Sequence, residues 1–455
     1  MSENTGSIPR TPSLLMSFLR QIWNSMKLPL LAIVTAFVLG GIVILATSGS
    51  LTSVFQAYEG MIRGAIFKQR GFSETLIAMI PYILLSLAVA VGFKSGLFNI
   101  GAEGQFYMGA IGAAYMGVAL NGLPAIVLLP LSLLVGAVAG AIWAGIAGLL
   151  KAKTGAHEVI TTMMMNYISF RLAEFLVSGP LRDPVAGLVQ TKSVSQQAEL
   201  WTLVSIPTRL KDPLNVLVAA IFMALVASLL VRWYVRSSKD ARFASLSTRR
   251  MVYLGSGLLA GVLSFFLLPI LTNLWWPFND TADRMHIGIL LALSMAVLVW
   301  WFMQHTTIGF ELRMVGANPT AAKYAGINIT RNIMVAMGIS GSLAGLAGTI
   351  EVLGVSSCRC LPLFFSSGYG WDSIGIALLA RNDPFGIIAS SFLWGAMRNG
   401  SDLMELNSGV SKYIISLIQA LVLLFVAAPV VVRWIYRLKG DQPTSTTPLT
   451  RGWGG

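Results

Sequence analysis

Charged residues are scarce in this sequence. Of its 455 residues, 32 are Lys or Arg and 19 are Asp or Glu, whereas 55% are hydrophobic. The charges are concentrated in short segments between long apolar runs, so no stretch has the composition of a sizeable soluble domain. The net charge of +13 belongs mainly to these connecting segments and does not indicate binding to nucleic acid.

The residues that enzymes use at metal or covalent sites are also scarce. The chain has only three histidines, and "HEVIT" at His157 has Thr161 where a zinc-protease motif needs its second histidine. The two cysteines, Cys358 and Cys360, are separated by one residue, which would strain a disulfide, and we interpret them as incidental. We therefore expect no catalytic residue, no bound metal and no cofactor in this chain.

The sequence has no G-x-x-x-x-G-K-[ST] motif, the glycine-rich loop that cradles nucleotide phosphates. An activity driven by ATP would therefore need its nucleotide-binding site in another chain. A membrane-embedded enzyme would need a convergent set of catalytic side chains, and the sequence shows none.

Long apolar runs dominate what the sequence does contain. Runs of about 20 apolar residues can cross the bilayer core as helices, which satisfy their own backbone polar groups in lipid. The 45 glycines agree with this, because glycine is common in membrane helices. The sequence predicts an all-α, polytopic membrane protein with about ten full transmembrane helices. The predicted spans are Leu28–Ala46, Glu74–Phe93, Gly101–Leu120, Ala125–Leu150, Val159–Val177, Leu214–Val235, Val252–Leu271, Met285–Met303, Asn332–Leu353 and Val410–Val432.

One further apolar segment, Asp372–Ala396, is interrupted. Its halves hold about nine and about thirteen residues, and the polar sequence from Arg381 to Pro384 separates them. Proline cannot continue a helix, and the residue before it favours extended geometry. We predict a re-entrant hairpin of two half-helices, each too short to span; a full crossing here would instead move the C-terminus to the other side.

Lys and Arg accumulate on one side of the predicted spans. They precede the first span, follow the fourth and the last, and separate the sixth from the seventh. The positive-inside rule places that side, and both termini, in the cytoplasm. The predicted organisation is a cytoplasmic tail with an interfacial helix over residues 1–27, a transmembrane domain over 28–433 and a cytoplasmic tail over 434–455.

Glycines recur four residues apart in three predicted spans. This small-xxx-small spacing lets two helix backbones approach closely. We expect internal helix packing at each pair, in preference to a dimer interface. The pairs are Gly136 and Gly140, Gly257 and Gly261, and Gly341 and Gly345.

A polar interruption within Gly92–Ala110 contains Asn99, Glu103 and Gln105. A buried carboxylate in a membrane protein is costly and usually faces a cavity or a partner. Asn99 and Glu103 are four residues apart, so they would share one face of a helix. Two interpretations remain open: a break that lines a solute path, and a cytoplasmic turn before a helix that starts at Gly101.

Polar residues also open the fifth span. Glu158 falls in its first turn, where a carboxylate complements the helix dipole. For Asn166 we favour a hydrogen bond between helices over a role in a pore.

The segment "VGANPTAAKYAGINITRN", Val315–Asn332, is small and polar between two apolar runs. Asn318 suits a helix N-cap, Pro319 suits the first helical position, and Gly326 suits the left-handed residue that ends a helix. The sequence predicts a helix of about two turns on the cytoplasmic side, too short to be stable without packing. It is either a capped connector on the membrane surface or a docking element with Tyr324 as an anchor for a partner.

Four ordered segments resemble ABC importer permeases of the branched-chain amino acid and simple-sugar superfamily. Three of them resemble the subgroup of nucleoside and simple-sugar permeases: Gly96–Ala110, Gly155–Ile168, at the polar start of the fifth span, and Gly368–Ile387. The fourth, Phe310–Arg331, resembles the cytoplasmic coupling loop of the superfamily. The resemblance covers roughly residues 74–184 and 285–432.

The resemblance implies a transport subunit without enzymatic activity in the bacterial cytoplasmic membrane. It implies alternating access for a small polar solute, a nucleoside or a simple sugar. The implied partners, besides the lipid bilayer, are ABC ATPase subunits that bind ATP, a second permease subunit (identical or homologous) and an extracytoplasmic solute-binding protein. We predict ATPase coupling by Gly316, Asn318, Pro319, Ala321, Ala322, Tyr324 and Gly326. We predict a solute path lined by Asn99, Glu103, Gln105, Asp372, Arg381 and Asn382.

The sequence departs from the family pattern at residues 214–271, where two additional spans and a strongly basic loop are inserted. This helix pair is expected either to lie at the periphery or to alter contacts with partners. The alternative function is an ion-coupled secondary transporter or channel, which would use intramembrane charges such as Glu103 and Arg381.

Overall fold

The computed structural model describes residues 14–203, 213–237, 246–274 and 283–437. Within these ranges the chain is helical and has no strand, only three isolated bridges between loop residues. Most of both predicted tails and part of the inserted basic loop lie outside the described residues. The helices are α1 (Leu14–Ser48), α2 (Leu51–Ile62), α3 (Gly71–Lys94), α4 (Ala102–Ala119), α5 (Ala125–Thr154), α6 (Glu158–Ser178), α7 (Pro213–Ser237), α8 (Leu246–Leu274), α9 (Gly288–His305), α10 (Thr307–Ala317), α11 (Pro319–Tyr324), α12 (Ile329–Ile350), α13 (Tyr369–Leu379), α14 (Pro384–Ser408), α15 (Ile414–Ala427) and α16 (Pro429–Ile435).

The predicted all-α class is confirmed, and every predicted span overlaps a helix. Six helical segments within the described ranges are long and apolar enough to cross a membrane, and the bent pair α15–α16 is a seventh. The number of about ten spans therefore stays a prediction. Helices α4 and α6 overlap predicted spans but carry charged and amide side chains, which lower their apolar character.

Helix boundaries differ from the predicted spans in three places. Helix α1 passes without a break from the predicted interfacial segment into the first span. Helix α2 has no counterpart among the predicted spans, because polar residues such as Gln56 and Glu59 interrupt its apolar sequence. The last predicted span is bent by 91° between α15 and α16, where Pro429 cannot continue the helix.

The interruption within Asp372–Ala396 is confirmed, but its second half is longer than predicted. Helix α13 has 11 residues, whereas α14 has 25 and continues well past Ala396. Between them, Arg381 and Asn382 adopt left-handed backbone with φ of 52° and 58°, and Asp383 caps α14. The prediction of two half-helices is therefore wrong for α14, since the polar residues after Ala396 bond to α3 and do not end the helix.

Helices α3 and α12 lie at the centre of the structure, with 83% and 72% of their spanning windows buried. Helix α12 packs most extensively against α5. A Cβ atom on Gly140 of α5 would lie only 2.7 Å from the Cα atom of Gly345 of α12. The predicted internal packing is confirmed here, because only residues without a Cβ atom allow backbones to approach this closely.

The inserted helices α7 and α8 pack mainly against each other. Gly257 and Gly261 of α8 contact Ala224 of α7, so this glycine pair also serves internal packing. Only 6% of the window within Met251–Ile270 is buried, and large apolar side chains such as Leu258 face outward. The inserted pair therefore forms a hairpin at the edge of the described helices.

Cys358 and Cys360 form a disulfide between α12 and α13, although the sequence favoured an incidental role. The disulfide segment runs beside the loop that follows α6. The backbone N–H of Val194 donates to the carbonyl of Arg359 at 2.8 Å. The two loops are therefore joined on the side of the molecule where α12 ends.

Substituting Gly140 by Ala should destabilise the protein by about 1–3 kcal/mol, because the new methyl group would overpack the contact with α12. Gly145 lies on the same helix with no atom within 4 Å of a Cβ position. Gly145→Ala should therefore leave stability unchanged or raise it by up to about 1 kcal/mol through helix propensity. Thermal unfolding of the two purified variants in detergent measures the difference. Equal midpoints would show that the close contact does not matter.

Candidate functional site

A polar cavity of about 520 Å³ opens between α3, α13, α14 and α15. Its size lies in the usual range of small-molecule sites, about 300–1,000 Å³. Three acidic and three basic side chains line it, so its formal charge is zero when all six are ionised. These charged residues are Glu74, Arg284, Asp372, Arg398, Asp402 and Lys412.

Two of the bases are paired directly with acids. Arg284 donates to both carboxylate oxygens of Glu74, at 3.1 and 2.7 Å, and to the Ser357 hydroxyl at 2.6 Å. Lys412, in the loop between α14 and α15, donates to Asp402 at 3.2 Å. This hydrogen bond and the charge of Asp402 raise the pKa of Lys412. Both pairs therefore contribute no net charge to the cavity.

The third acid and base are joined through a buried tyrosine. Tyr82 donates its hydroxyl proton to Asp372 Oδ2 at 3.0 Å and accepts from Arg398 Nη1 at 3.1 Å. The Arg398 guanidinium also donates to the Ser367 hydroxyl, and its Cζ atom lies 4.2 Å from the ring centre of Tyr369. An aromatic face and two hydrogen bonds thus hold this cation in one orientation.

Glu103 lies behind the cavity wall and does not line it. Its side chain is almost completely buried and accepts hydrogen bonds from the Ser366 hydroxyl and the backbone N–H of Gly370. Gly370 belongs to the first turn of α13, where the positive end of the helix dipole favours a carboxylate. Glu103 therefore joins the beginning of α4 to the beginning of α13.

Asn99 and Gln105 form a buried amide pair that does not line the cavity. They exchange two hydrogen bonds of 3.0 Å, and Asn99 also donates to Ser340 of α12 at 2.8 Å. The expected sharing of one helical face by Asn99 and Glu103 is wrong, because Asn99 precedes the start of α4. These amides hold the break between α3 and α4 against α12.

The polar start of α6 also supports this break. Asn166 is fully buried, accepts from the Gly104 N–H at 2.8 Å and donates to the Ile100 carbonyl at 3.0 Å. The predicted hydrogen bond between helices is confirmed. Glu158 lies in the first turn of α6, as predicted, and pairs with Lys151 at 2.6 Å.

Arg381 and Asn382 lie in the turn at the far end of α13 from the cavity. The next residue, Asp383, lies close enough to Lys94 to interact with it electrostatically. The turn is therefore beside the end of α3. Seven residues of α13 follow Asp372, so about 10 Å of helix separates this turn from the cavity wall. Of the predicted path residues, only Asp372 lines the cavity.

The short helix α11 has the predicted ends. The Asn318 side chain accepts from the Ala321 N–H at 3.0 Å, and Pro319 is the first helical residue. Gly326 has a φ of 82°, the left-handed conformation that ends a helix. Ala321 is exposed, and the Tyr324 side chain is 90% exposed.

Two of the predicted coupling residues face the rest of the protein. Ala322 is completely buried and anchors α11. Gly316, at the end of α10, touches the break after α3, since a Cβ atom on Gly316 would lie 2.8 Å from the backbone nitrogen of Gly96. One side of α11 is therefore exposed, while the chain at its base is in backbone contact with the break.

Several cavity residues have no counterpart among the predicted site residues. Arg398 lies two residues beyond the predicted apolar segment Asp372–Ala396 and close to Asp402, so it resembles a residue of a polar connector in the sequence. Tyr82 lies within a continuous apolar run and carries no sequence signal. Arg284 and Glu74 are 210 residues apart, so their pairing appears only in the folded chain.

The model of one protein family matches residues 71–427, a range that includes every residue of the cavity. The family is described as the permease component of the branched-chain amino acid transport system. The chain belongs to this family.

Individual relatives resemble this permease along most of their length. The guanosine ABC transporter permease of Bacillus subtilis is 32% identical over 412 residues, which cover 90% of this chain and 96% of that protein. The glucose ABC transporter permease of Haloferax volcanii is 29% identical over 403 residues, 89% of this chain and 87% of that protein. The nucleoside ABC transporter permease of Lactococcus lactis is 29% identical over 407 residues, which cover 89% of this chain and 91% of that protein.

No solved structure matches the chain significantly. The family and these relatives define the chain as the permease subunit of an ABC importer and as a multi-pass membrane protein. It is a transport subunit and not an enzyme, because the ATPase of such an importer is a separate subunit.

Proposed function

We propose that this permease moves a neutral, polar solute, a nucleoside or a simple sugar, through the cavity by alternating access. The observation that carries the proposal is the balance of three acids and three bases around the cavity. A solute with a net charge would meet no excess of opposite charge there, and an unpaired charge inside a membrane is costly. A neutral solute with many hydroxyl groups can instead hydrogen-bond to both signs of charge.

The similarity to known permeases supports this substrate class. Relatives that cover most of this chain are named as permeases for guanosine, for glucose and for nucleosides. Guanosine and glucose are both neutral near pH 7 and rich in hydroxyl groups. The common chemistry of these solutes thus agrees with the charge balance of the cavity.

The alternative of an ion-coupled transporter or channel would need Glu103 and Arg381 to act on a permeating ion. The Glu103 carboxylate is bound to two fixed donors behind the cavity wall. Arg381 lies at the other end of α13, beside the end of α3. This arrangement, together with the family membership, favours transport driven by ATP.

The proposed importer contains two ABC ATPase subunits that bind ATP, a second permease subunit (identical or homologous) and an extracytoplasmic solute-binding protein. We place the permease in the bacterial cytoplasmic membrane with both termini in the cytoplasm. Helix α13 runs toward the end of α3 and α14 returns, so this pair leaves the parity of the spans unchanged. The clusters of Lys and Arg then share the cytoplasmic side.

Helix α11 is the proposed docking element for the ATPase. Its exposed face presents Ala321, Tyr324 and the two ends of the helix, Asn318–Pro319 and Gly326. A large aromatic side chain among small residues is typical of an interface anchor. The buried Ala322 holds the helix to the permease and does not contact the partner.

A chain of contacts leads from α11 to the cavity. Gly316 touches Gly96 through the backbone, and the break that begins at Gly96 leads into α4. Glu103 in the first turn of α4 bonds to Gly370 of α13. Helix α13 carries Asp372 on the cavity wall. We infer that a displacement of α11 on closure of the ATPase subunits shifts α13 and changes access to the cavity.

The substrate class and the energy source can be tested together in proteoliposomes that contain the whole importer. Labelled guanosine should enter when ATP is present, and collapse of the proton gradient should not stop it. Guanosine 5′-monophosphate is charged and should compete poorly with labelled guanosine. Its competition should be at least about tenfold weaker than that of the better competitor among unlabelled guanosine and glucose. Uptake that persists without the ATPase and follows the proton gradient would support the rival transporter.

Replacing Ala321 by Arg should prevent docking of the ATPase, because a long charged side chain would occupy the contact face of α11. Co-purification of the ATPase with the tagged permease should fall about tenfold or more, and uptake should fall with it. The matched control is Val185→Arg, since Val185 is 90% exposed in the loop after α6 and lies far along the chain from α11. Unchanged co-purification and uptake in Ala321→Arg would rule out α11 as the docking element.

Replacing Gly316 by Ala should separate docking from transport. The added methyl group would push Gly316 away from Gly96, whereas the exposed face of α11 stays intact. The ATPase should therefore co-purify normally and hydrolyse ATP, but uptake should fall about tenfold. Gly338→Ala in α12 is the control, because no atom lies within 4 Å of its Cβ position. Normal uptake in Gly316→Ala would contradict the proposed transmission.

A further inference from the structure

We infer that Asp372 and Arg398 bind the two adjacent hydroxyls of a ribosyl group, so that this permease selects ribonucleosides. The inference rests on the proposed function, because it names the substrate within the class of nucleosides and simple sugars. It assigns specificity to the permease itself, in addition to any selection by a solute-binding protein.

The two charged groups lie on either side of one hydroxyl group and line the same cavity. Asp372 Oδ2 and Arg398 Nη1 bind the same hydroxyl of Tyr82 at 3.0 and 3.1 Å, so they are at most about 6 Å apart. Their link runs through the Tyr82 hydroxyl, and both line the cavity. A carboxylate and a guanidinium thus face one space from neighbouring positions.

Tyr82 acts as a spacer and does not contact the solute itself. Its side chain is completely buried, its proton is donated to Asp372, and its oxygen accepts from Arg398. The hydroxyl therefore has little remaining capacity for a ligand. Its effect is to fix the distance between an acceptor and a donor, which is the property that selects a pair of groups on a solute.

Both charged groups keep hydrogen-bonding capacity for a ligand. Among the described residues, Oδ1 of Asp372 accepts no hydrogen bond, and the side chain is only partly buried. The Arg398 guanidinium has five N–H groups, and its two hydrogen bonds go to Tyr82 and Ser367. The ring of Tyr369 fixes the plane of the guanidinium, so little ordering is needed when a solute binds.

A vicinal diol matches this pair of groups. One hydroxyl can donate to the carboxylate while its neighbour accepts from the guanidinium, because each hydroxyl is both donor and acceptor. A ribonucleoside carries such a pair at the 2′ and 3′ positions, whereas a 2′-deoxynucleoside has lost one member. A site built to bond a hydroxyl rejects the analogue without it, since a buried polar group is then left unpaired.

The rest of the cavity has room for the nucleobase. A volume of about 520 Å³ lies within the range of sites that hold a whole small molecule. The lining includes the apolar Ile77 and Ile415 and the side chain of Tyr413, which is 76% exposed. An aromatic ring of this kind can stack on the face of a base. The cavity therefore offers polar groups for the sugar and an apolar, aromatic surface for the base.

The test compares uptake of guanosine and 2′-deoxyguanosine by the complete importer in proteoliposomes. The preference of the wild type should fall about tenfold in Asp372→Asn, because the charged acceptor for the 2′-hydroxyl, which only guanosine carries, becomes a neutral amide. Tyr82→Phe keeps the packing of the ring but releases the spacer, and its preference should also fall. Since all variants share one binding protein, a change in the ratio reports on the permease alone.

The matched control is Asp183→Asn, in the loop after α6, which should leave the ratio unchanged. Co-purification of the ATPase verifies that each variant is folded. If Asp372→Asn and Tyr82→Phe both lower the two uptake rates equally, the ribosyl site is overturned while the proposed function stands. Uptake of glucose but of no nucleoside would likewise overturn the ribosyl site alone. No uptake of either by the wild type would overturn the proposed function.

Discussion

Close packing of α12 against α5 and α4 is the constraint on which the rest of the structure depends. Lipid is as apolar as the helices, so burial of apolar surface gives them little reason to associate. Gly345 and Gly348 bring α12 into backbone contact with α5 and α4. Dispersion over these close surfaces then holds the three helices together. Because α12 lies so near, Ser340 can bond to Asn99 in the break after α3.

The polar interior follows from the need to satisfy backbone groups away from water. Where α3 ends and α4 begins, several N–H and C=O groups have no helical partner. Asn99 and Asn166 supply partners to Gly101, Gly104 and Ile100. Much of the polarity in this part of the sequence therefore supports the break and does not face the cavity. The cavity wall is made one layer further out, where charged side chains from α13 and α14 meet Tyr82 of α3.

The geometry separates the cavity, where we propose that the solute binds, from α11, where we propose that the ATPase docks, and short elements link the two. Helix α11 is held at its base by a glycine contact with the break, and α13 is held at its start by Glu103. Neither α11 nor α13 is long enough to be stable alone. Each depends on its contacts and can shift as a unit when those contacts move. In the proposed importer, the rigid helices α5 and α12 provide the frame against which this shift occurs.

The sequence by itself determined the features that depend on neighbouring residues. These include the helical membrane class, the capped ends of α11 and the interruption before Pro384. It did not determine the length of α14 or which polar side chains face the cavity. Tyr82 meets Asp372 at a sequence separation of 290 residues and Arg398 at 316. Only the tertiary structure decided these meetings, because helix packing brings such residues together and their pairing leaves no local pattern in a single sequence.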